Sequence, residues 1–251
     1  MMETNKKTYF ISDLHLLPTQ SLLGDNFLSF LDDIQDKAEA LYILGDLFEF
    51  WIGDDIINKE AGKPYLPFLE KLKVLSKLGI KIYFTQGNRD FLAQKRFVRA
   101  IGAELLPDSK VIDLYGTLTL IMHGDTLCTD DESYQRMRRI FRNKIVQWIY
   151  TSLNAERRSR IAGNTRKALK EKVPKKSYKI VDVNQTEVER VMKEAGVLQL
   201  IHGHTHRPAT HEFKLNGKKA KRIVLSDWID EACYLSTIDG ESFEVLNKSN
   251  R

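Results

Sequence analysis

Leu41-Tyr42-Ile43-Leu44-Gly45-Asp46 sets four apolar residues against a glycine and an aspartate. A short apolar run of this kind reads as a strand buried on both faces, with a polar loop at its carboxyl end. The arrangement recurs. Tyr9-Phe10-Ile11 runs into Asp13-Leu14-His15, and Ile80 to Phe84 runs into Gly87-Asn88-Arg89-Asp90. Leu118 to Met122 precedes His123-Gly124-Asp125, and Leu198 to Ile201 precedes His202-Gly203-His204-Thr205-His206. Between these runs, Phe27 to Ile34, Pro67 to Leu78 and Phe91 to Ile101 place apolar residues three and four apart, as amphipathic helices do. Ile223 to Leu225, Tyr234 to Ile238 and Phe243 to Leu246 read as further strands, with turns such as Asp239-Gly240. Strands alternating with helices, then strands alone, predict a layered α/β fold.

Loops at the carboxyl ends of strands in such sheets converge on one crevice, where ligands bind. Five of the six histidines fall in these loops. The loops therefore deliver Asp13, His15, Asp46, Asn88, His123, His204 and His206 to one sheet edge. Imidazole nitrogen with carboxylate and amide oxygen suits Mn²⁺, Fe, Zn²⁺ or Mg²⁺. No thiolate takes part, which argues against a structural zinc knuckle. Seven donors exceed what one catalytic ion uses. They fit two ions about 3.5–4 Å apart with a bridging carboxylate, the arrangement of phosphoester hydrolysis. A lone Asp-x-His or Gly-Asn-Arg-Asp is usually a turn; five such loops, each behind a strand, are not.

The five loops resemble the signature blocks of the calcineurin-like metallophosphoesterases. That resemblance implies a four-layer αββα sandwich with a helical lid insertion. It also implies that Asp13, His15 and His206 hold one ion and Asn88, His123 and His204 the second, with Asp46 bridging. His202 falls outside this set and reads as packing. The flanking residues Trp51-Ile52-Gly53-Asp54-Asp55, Thr126 to Asp131 and Asp182-Val183-Asn184-Gln185 are similar to one branch, the UDP-2,3-diacylglucosamine diphosphatases of lipid A synthesis. The branch implies a metal-activated water attacking the uridine-side phosphorus of a nucleotide-activated glycolipid, with two divalent ions, best Mn²⁺. The catalytic residues it implies are Asn88, Arg89 and His123, and Asn88, Arg89, Asp131, Lys167, Lys176 and His204 would contact substrate. Leu169 and Val173, where small polar residues are expected, and Ser226, where glycine is usual, depart from the pattern.

From Tyr134 to Lys179 there are 15 Lys/Arg and only Glu156 and Glu171 as acids. With a chain total of +5, this segment carries +13 and the remainder −8. Residues 133–176 form a helical insertion within a single domain over 1–251. Phe141, Ile145, Trp148, Ile149 and Leu153 fall on one helical face bordered by Arg138, Arg139, Arg142 and Lys144, as in an interfacial helix. The reading is a lid that holds acyl chains and rests on the cytoplasmic face of the inner membrane; its bland rival is ordinary packing with solvated charges.

Hydrophobic content of 42% and charged content of 29% are ordinary for a globular chain and exclude disorder and coiled coil. No apolar run approaches the roughly 18 residues of a membrane span. Cys128 and Cys233, far apart, fit a reducing compartment. The expectation is a monomeric cytoplasmic enzyme, peripheral on the inner membrane. A nuclease is disfavoured, because nucleic-acid surfaces interleave basic residues with exposed stacking aromatics, not an aliphatic stripe.

Overall fold

The computed structural model describes residues 6–17, 22–172, 182–229 and 232–248, without side chains at 165–172 and 247–248. Its framework is two facing sheets. The first has strand order β11-β10-β1-β2-β3-β4, built from β1 (Lys7–Ile11), β2 (Ala38–Leu44), β3 (Lys81–Thr85), β4 (Ala103–Leu105), β10 (Ala232–Thr237) and β11 (Glu244–Lys248). The second has order β5-β6-β7-β9-β8, from β5 (Ser109–Leu114), β6 (Thr117–Met122), β7 (Gln199–His202), β8 (Ala209–Leu215) and β9 (Lys218–Val224). β1 to β4 run parallel, as do β6, β7 and β9. Their carboxyl ends therefore share one edge.

Side-chain alternation sorts the core into three slabs. On β1, Tyr9 and Ile11 face the helices α1 (Leu22–Ile34), α2 (Leu66–Lys77) and α3 (Lys95–Ile101). Phe10, between them, faces the second sheet and meets Tyr42, Leu44, Ile121, Ile201 and Ile223. Beyond the second sheet, Val188 and Met192 of α7 (Gln185–Ala195) pack on Leu120, Met122 and Leu200. The order helix–sheet–sheet–helix is the four-layer αββα sandwich expected from the sequence. The central parallel strands β1, β2 and β7 are buried on both faces, and each carries an apolar run.

The strands missing from the sequence reading have a common cause. β5 and β8 expose most of their residues, and β4 is three residues long, so none carries an apolar run. α7 is mostly polar and buries only Val188 and Met192. Its signals lie in its ends: Asn184 caps the start by accepting from the Glu187 amide, and Gly196 closes it at φ 69°.

Residues 132–172 form α4 (Glu132–Phe141), α5 (Lys144–Thr151) and α6 (Ala155–Lys172). A turn separates α4 from α5, and Asn143 caps α5 by accepting from Ile145 and Val146 amides. The helical phase therefore resets at 142–143, and Leu153 lies beyond the end of α5. Among the described residues no helix is long and apolar enough to cross a membrane.

Phe10 is fully buried and stacks on Tyr42 at 5.0 Å between centroids. Phe10→Ala removes the ring where neither sheet can collapse. It is expected to cost about 3–5 kcal/mol, seen as a lower urea midpoint at unchanged m-value.

Candidate metal centre and cleft

The loops after β1, β2, β3, β6 and β7 are laced together by backbone hydrogen bonds. Asp13 N–H donates to Gly45 O (3.1 Å), His15 N–H to Asp46 O (2.9 Å) and Gly203 N–H to His123 O (2.8 Å). Seven described non-glycine residues have positive φ, and five of them are Asp13, His15, Asp46, His204 and His206. Each such conformation costs about 1–3 kcal/mol and persists where the surroundings enforce it. Strain concentrated on these five side chains marks a functional edge.

All seven predicted donors meet there. Asp13, His15 and His206 place ligand atoms within 4.8 Å of one another, and so do Asp13, Asp46 and His123. Asp46 stands between two histidines, with Oδ2 4.0 Å from His15 Nδ1 and Oδ1 3.9 Å from His123 Nε2. Asn88 Oδ1 lies 3.1 Å from His123 Nε2 and 3.0 Å from His204 Nδ1. His15 Nε2 and His206 Nε2 face each other at 3.4 Å.

The imidazoles are held from behind. His123 Nδ1 sits 2.9 Å from Leu44 O, His206 Nδ1 3.0 Å from Asp227 Oδ2, and His15 Nδ1 3.3 Å from Glu49 Oε2. Such contacts fix ring orientation and point the other nitrogen inward, as partners of metal-bound histidines do. Ser12 Oγ and the His204 amide both donate to Asp13 Oδ2 at 2.7 Å, leaving Oδ1 buried without a hydrogen bond and turned to His206. Asp90 accepts from the amides of Gly87 and Leu47 (both 2.8 Å) and Asp46, binding the β2 and β3 loops together. Sequence reading missed Glu49, Asp227, Ser12 and the part played by Asp90, because a carboxylate behind a ligand has no spacing rule.

The electrostatics suit a cation. Burial would lower the pKa of His206, yet Asp13 and Asp227 push it up to about 10. His15 and His123 are raised likewise against their burial, by Glu49 with Asp46 and Asp13 for one and by Asp46 and Asp13 for the other. His204 is drawn down to about 4 by burial and by His123, so it is neutral at pH 7. The pocket thus gathers the buried carboxylates of Asp13 and Asp46 against the imidazoles of His15, His123 and His206. An orphaned carboxylate oxygen, facing imidazole nitrogens and this pair of buried carboxylates suit a divalent ion.

His202 belongs to β7 itself. It is fully buried, 2.8 Å from Gly203 O through Nδ1 and 3.5 Å from Arg222 Nη1 through Nε2. Its pKa falls to about 3 through burial.

Beside the donors opens a cleft of about 300 Å³. It is lined by Asn88 and Arg89 of the β3 loop, by Trp51, Ile52 and Phe91 as a wall from the body, and by Met137, Phe141, Val146, Tyr150 and Ile161 as a roof from the inserted helices. Arg89 pairs with neither Asp90 nor Asp54; Asp54 caps α3 through the amides of Gln94, Arg96 and Phe97. The predicted apolar stripe divides. Phe141 lines the cleft and stacks on Phe91 at 5.9 Å, whereas Ile145 and Trp148 (each 68% exposed) and Ile149 point outward, and Leu153 is half-buried. The phase reset at Asn143 is the reason.

Two of the four basic borders face inward. Arg138 donates to Asp125 Oδ2 (2.6 Å) and Asp108, and Arg142 donates to Gln86 Oε1 and the carbonyls of Gln86 and Gly87. Burial would raise the Asp125 carboxyl, but His123 and Arg138 hold it down to about 2. Tyr134 donates to the same carboxylate at 3.0 Å. Asp131 is the N-cap of α4, with Oδ1 accepting from the Tyr134 amide. Lys176, Val173 and the side chains of Lys167 and Leu169 lie outside the described residues. Ser226 is half-buried, and its hydroxyl donates to Asp227 O.

A family model described as calcineurin-like phosphoesterase matches residues 6–208. The chain is 49% identical over 231 residues to the UDP-2,3-diacylglucosamine hydrolase of Aliivibrio fischeri (strain MJ11), covering 92% of this chain and 94% of that one. It is 48% identical over 219 residues to the enzyme of that name from Pseudomonas aeruginosa (strain UCBPP-PA14), covering 87% and 90%. The chain belongs to the UDP-2,3-diacylglucosamine hydrolase family of calcineurin-like phosphoesterases. A dimetal phosphatase from Danio rerio has a similar fold, with TM-score 0.53 and 13% identity over 97% of this chain and 96% of that one. As a hydrolase of this family the chain works with divalent metal ions.

Gly203 has no room for a side chain: a Cβ would lie 2.1 Å from Ser12 Oγ and 2.3 Å from Asp13 Oδ2. Gly203→Ala is expected to weaken Mn²⁺ binding about 10–100-fold by titration calorimetry. Gly163→Ala, in helical open space, should leave it unchanged.

Proposed function

We propose that this hydrolase cleaves the pyrophosphate of UDP-2,3-diacylglucosamine at the uridine-side phosphorus. The products are UMP and 2,3-diacylglucosamine 1-phosphate, a step of lipid A synthesis. One observation carries the reading: an apolar cleft opens directly onto Asn88 and Arg89, beside the buried donor cluster. A lipid pyrophosphate needs an apolar groove and a phosphate site in contact, and a water-soluble diester needs only the second.

In this reading Asp13, His15 and His206 hold one divalent ion and Asn88, His123 and His204 another, with Asp46 between; the donor set favours Mn²⁺. Two such ions, when bound, lower the pKa of water and neutralise charge on phosphoryl oxygens. Arg89 is free for the substrate phosphates: it lines the cleft, and its buried Nε has no partner. A guanidinium binds phosphate oxygens in two parallel hydrogen bonds. Asp90 and Asp46 place it, since Asp46 Oδ1 accepts from the Arg89 amide at 2.8 Å. The departing lipid phosphate has a second pKa of about 6 and leaves without a proton from the protein. A neutral His204 matches that demand, serving as donor to metal and neighbour to substrate, not as an acid.

The insertion over 133–176, helical through its described part, acts as the lid of a single 1–251 domain. Phe141, with Met137, Val146, Tyr150 and Ile161, grips the acyl chains. Ile145, Trp148 and Ile149, with Arg139 and Lys144 at the border, rest on the cytoplasmic face of the inner membrane. Leu153 packs at the end of α5. Asp131, Lys167 and Lys176 attend the sugar and phosphate by resemblance. The monomer suffices, and nucleic acid is not a partner.

Purified protein with UDP-2,3-diacylglucosamine and Mn²⁺ should release UMP and the lipid monophosphate, and EDTA should stop it. Hydrolysis of bis(p-nitrophenyl) phosphate without lipid turnover would overturn the substrate assignment. Asp46→Ala and His123→Ala should each lower kcat by at least about a hundredfold while remaining folded by circular dichroism; near-normal rates in either would refute the dinuclear reading.

A second comparison separates the two apolar faces. Phe141→Ala should raise KM for the lipid substrate in detergent. Trp148→Ala with Ile149→Ala should spare that KM and reduce sedimentation with anionic vesicles. Equal effects of both on KM would return the outer face to ordinary packing.

A further inference from the structure

α6 is polar along its described length, yet Arg158 on it is the largest fully buried side chain of the described residues, at 0% exposure. Arginine is almost never fully buried unless paired. Here the pairing is a fork: Nη1 donates to Asp55 Oδ1 at 2.8 Å and Nη2 to Asp55 Oδ2 at 2.5 Å. Nη1 also donates to the carbonyl of Ile52 at 2.6 Å. Burial opposes ionisation of Asp55, but Arg158 and then Lys59 hold its pKa down to about 2, so this carboxyl is ionised at neutral pH.

What this guanidinium joins is informative. Ile161 and Ala162, three and four residues on, share its helix face and line the cleft roof. Ile52, whose carbonyl it binds, lines the opposite wall beside Trp51. Tyr150, a third lining residue, donates its hydroxyl to Arg158 O at 3.1 Å. One side chain therefore ties roof to wall. The backbone there is fitted to it: Gly53 lies at φ 126°, and a Cβ on it would sit 2.5 Å from Arg158 Nη1.

We infer that Arg158, clamped by Asp55 and Ile52 O, is a positioning residue that fixes the width of the cleft and so its selection among lipid substrates. The inference rests on the cleft being the acyl site. An apolar contact could tolerate sliding of α6 along the wall, but a bidentate fork with a third hydrogen bond holds distance and angle together. Replacing a buried ion pair by apolar groups is often neutral or stabilising, so stability is a weak reason to keep this one. Holding two walls at a set spacing is a stronger one. Neither residue touches the donor cluster, so the clamp acts through the lining residues only.

The test is steady-state kinetics of Asp55→Asn and Arg158→Lys in the full chain, on UDP-2,3-diacylglucosamine of two acyl lengths and on bis(p-nitrophenyl) phosphate. Asp55→Asn keeps the shape and removes the charge; its site is part-exposed, so it reports even if Arg158→Lys fails to fold. Both variants should raise KM for the wild type's preferred lipid about tenfold and flatten the ratio of kcat/KM between the two chain lengths. The rate on the small diester should stay within about twofold, and Arg158→Lys should lose less than Arg158→Ala. An unchanged KM and chain-length ratio would overturn the clamp alone. Parallel loss on lipid and small diester would make the pair merely structural. A wild type that turns over no lipid would remove the reading beneath it.

Discussion

The organising constraint is the convergence of carboxylates and imidazoles on one buried sheet edge. Charges of one sign in a low-dielectric pocket repel strongly, and each carboxylate also loses its water. The described residues answer with backbone amides. Asp13 takes the His204 amide, Asp46 takes that of Arg89, and Asp90 takes those of Gly87, Leu47 and Asp46. All of these bonds but that of Gly87 run between loops from different strands. The same contacts that make the carboxylates tolerable therefore tie the β1 loop to the β7 loop and the β2 loop to the β3 loop, and the positive φ values of Asp13, His15, Asp46, His204 and His206 are the cost of aiming them.

That economy explains what was legible beforehand. The central strands β1, β2 and β7 each sit between a helix layer and the opposite sheet, so burial on both faces wrote an apolar run for each. The donors follow those runs directly, because a parallel sheet sends its carboxyl ends to one side. Legibility failed where burial was one-sided or slight. β5 and β8 lie at the edges of the second sheet with polar, exposed residues, and α7 buries two side chains. Its cap pair Asn184 and Glu187 and its closing Gly196 were readable signals, and they outweigh its thin apolar face.

The supporting partners were hidden for a different reason. Glu49 and Asp227 stand behind His15 and His206, one from the loop after β2 and the other from the segment after β9. Only the closed fold makes them neighbours of their histidines. The role of the loop glycines is likewise visible only in the closed fold. A Cβ at Gly87 would strike Asp46 and one at Gly203 would strike Asp13, so both glycines make room for the donors.

Charge in the 134–179 segment has a similar lesson. As composition, an excess of thirteen cations suggests a surface waiting for an anionic partner. In the structure, Arg138 is spent on Asp125 and Asp108, Arg142 on Asp108 and two loop carbonyls beside Asn88, and Arg158 on Asp55 and Ile52 O. These three arginines fasten α4 and α6 to the acidic body at three separated points. Arg142 grips the β3 loop just before Asn88, Arg138 grips the residue two after His123, and Arg158 grips the wall of the cleft. Part of the charge asymmetry is thus internal: the acidic body and the basic helices are each other's counter-ions. A surface that repels its own roof until it is pinned by defined pairs would leave the cleft without a fixed width. One that attracts it through a few buried forks gives the cleft a shape, and leaves Arg89 in its lining as the guanidinium still available to a phosphate.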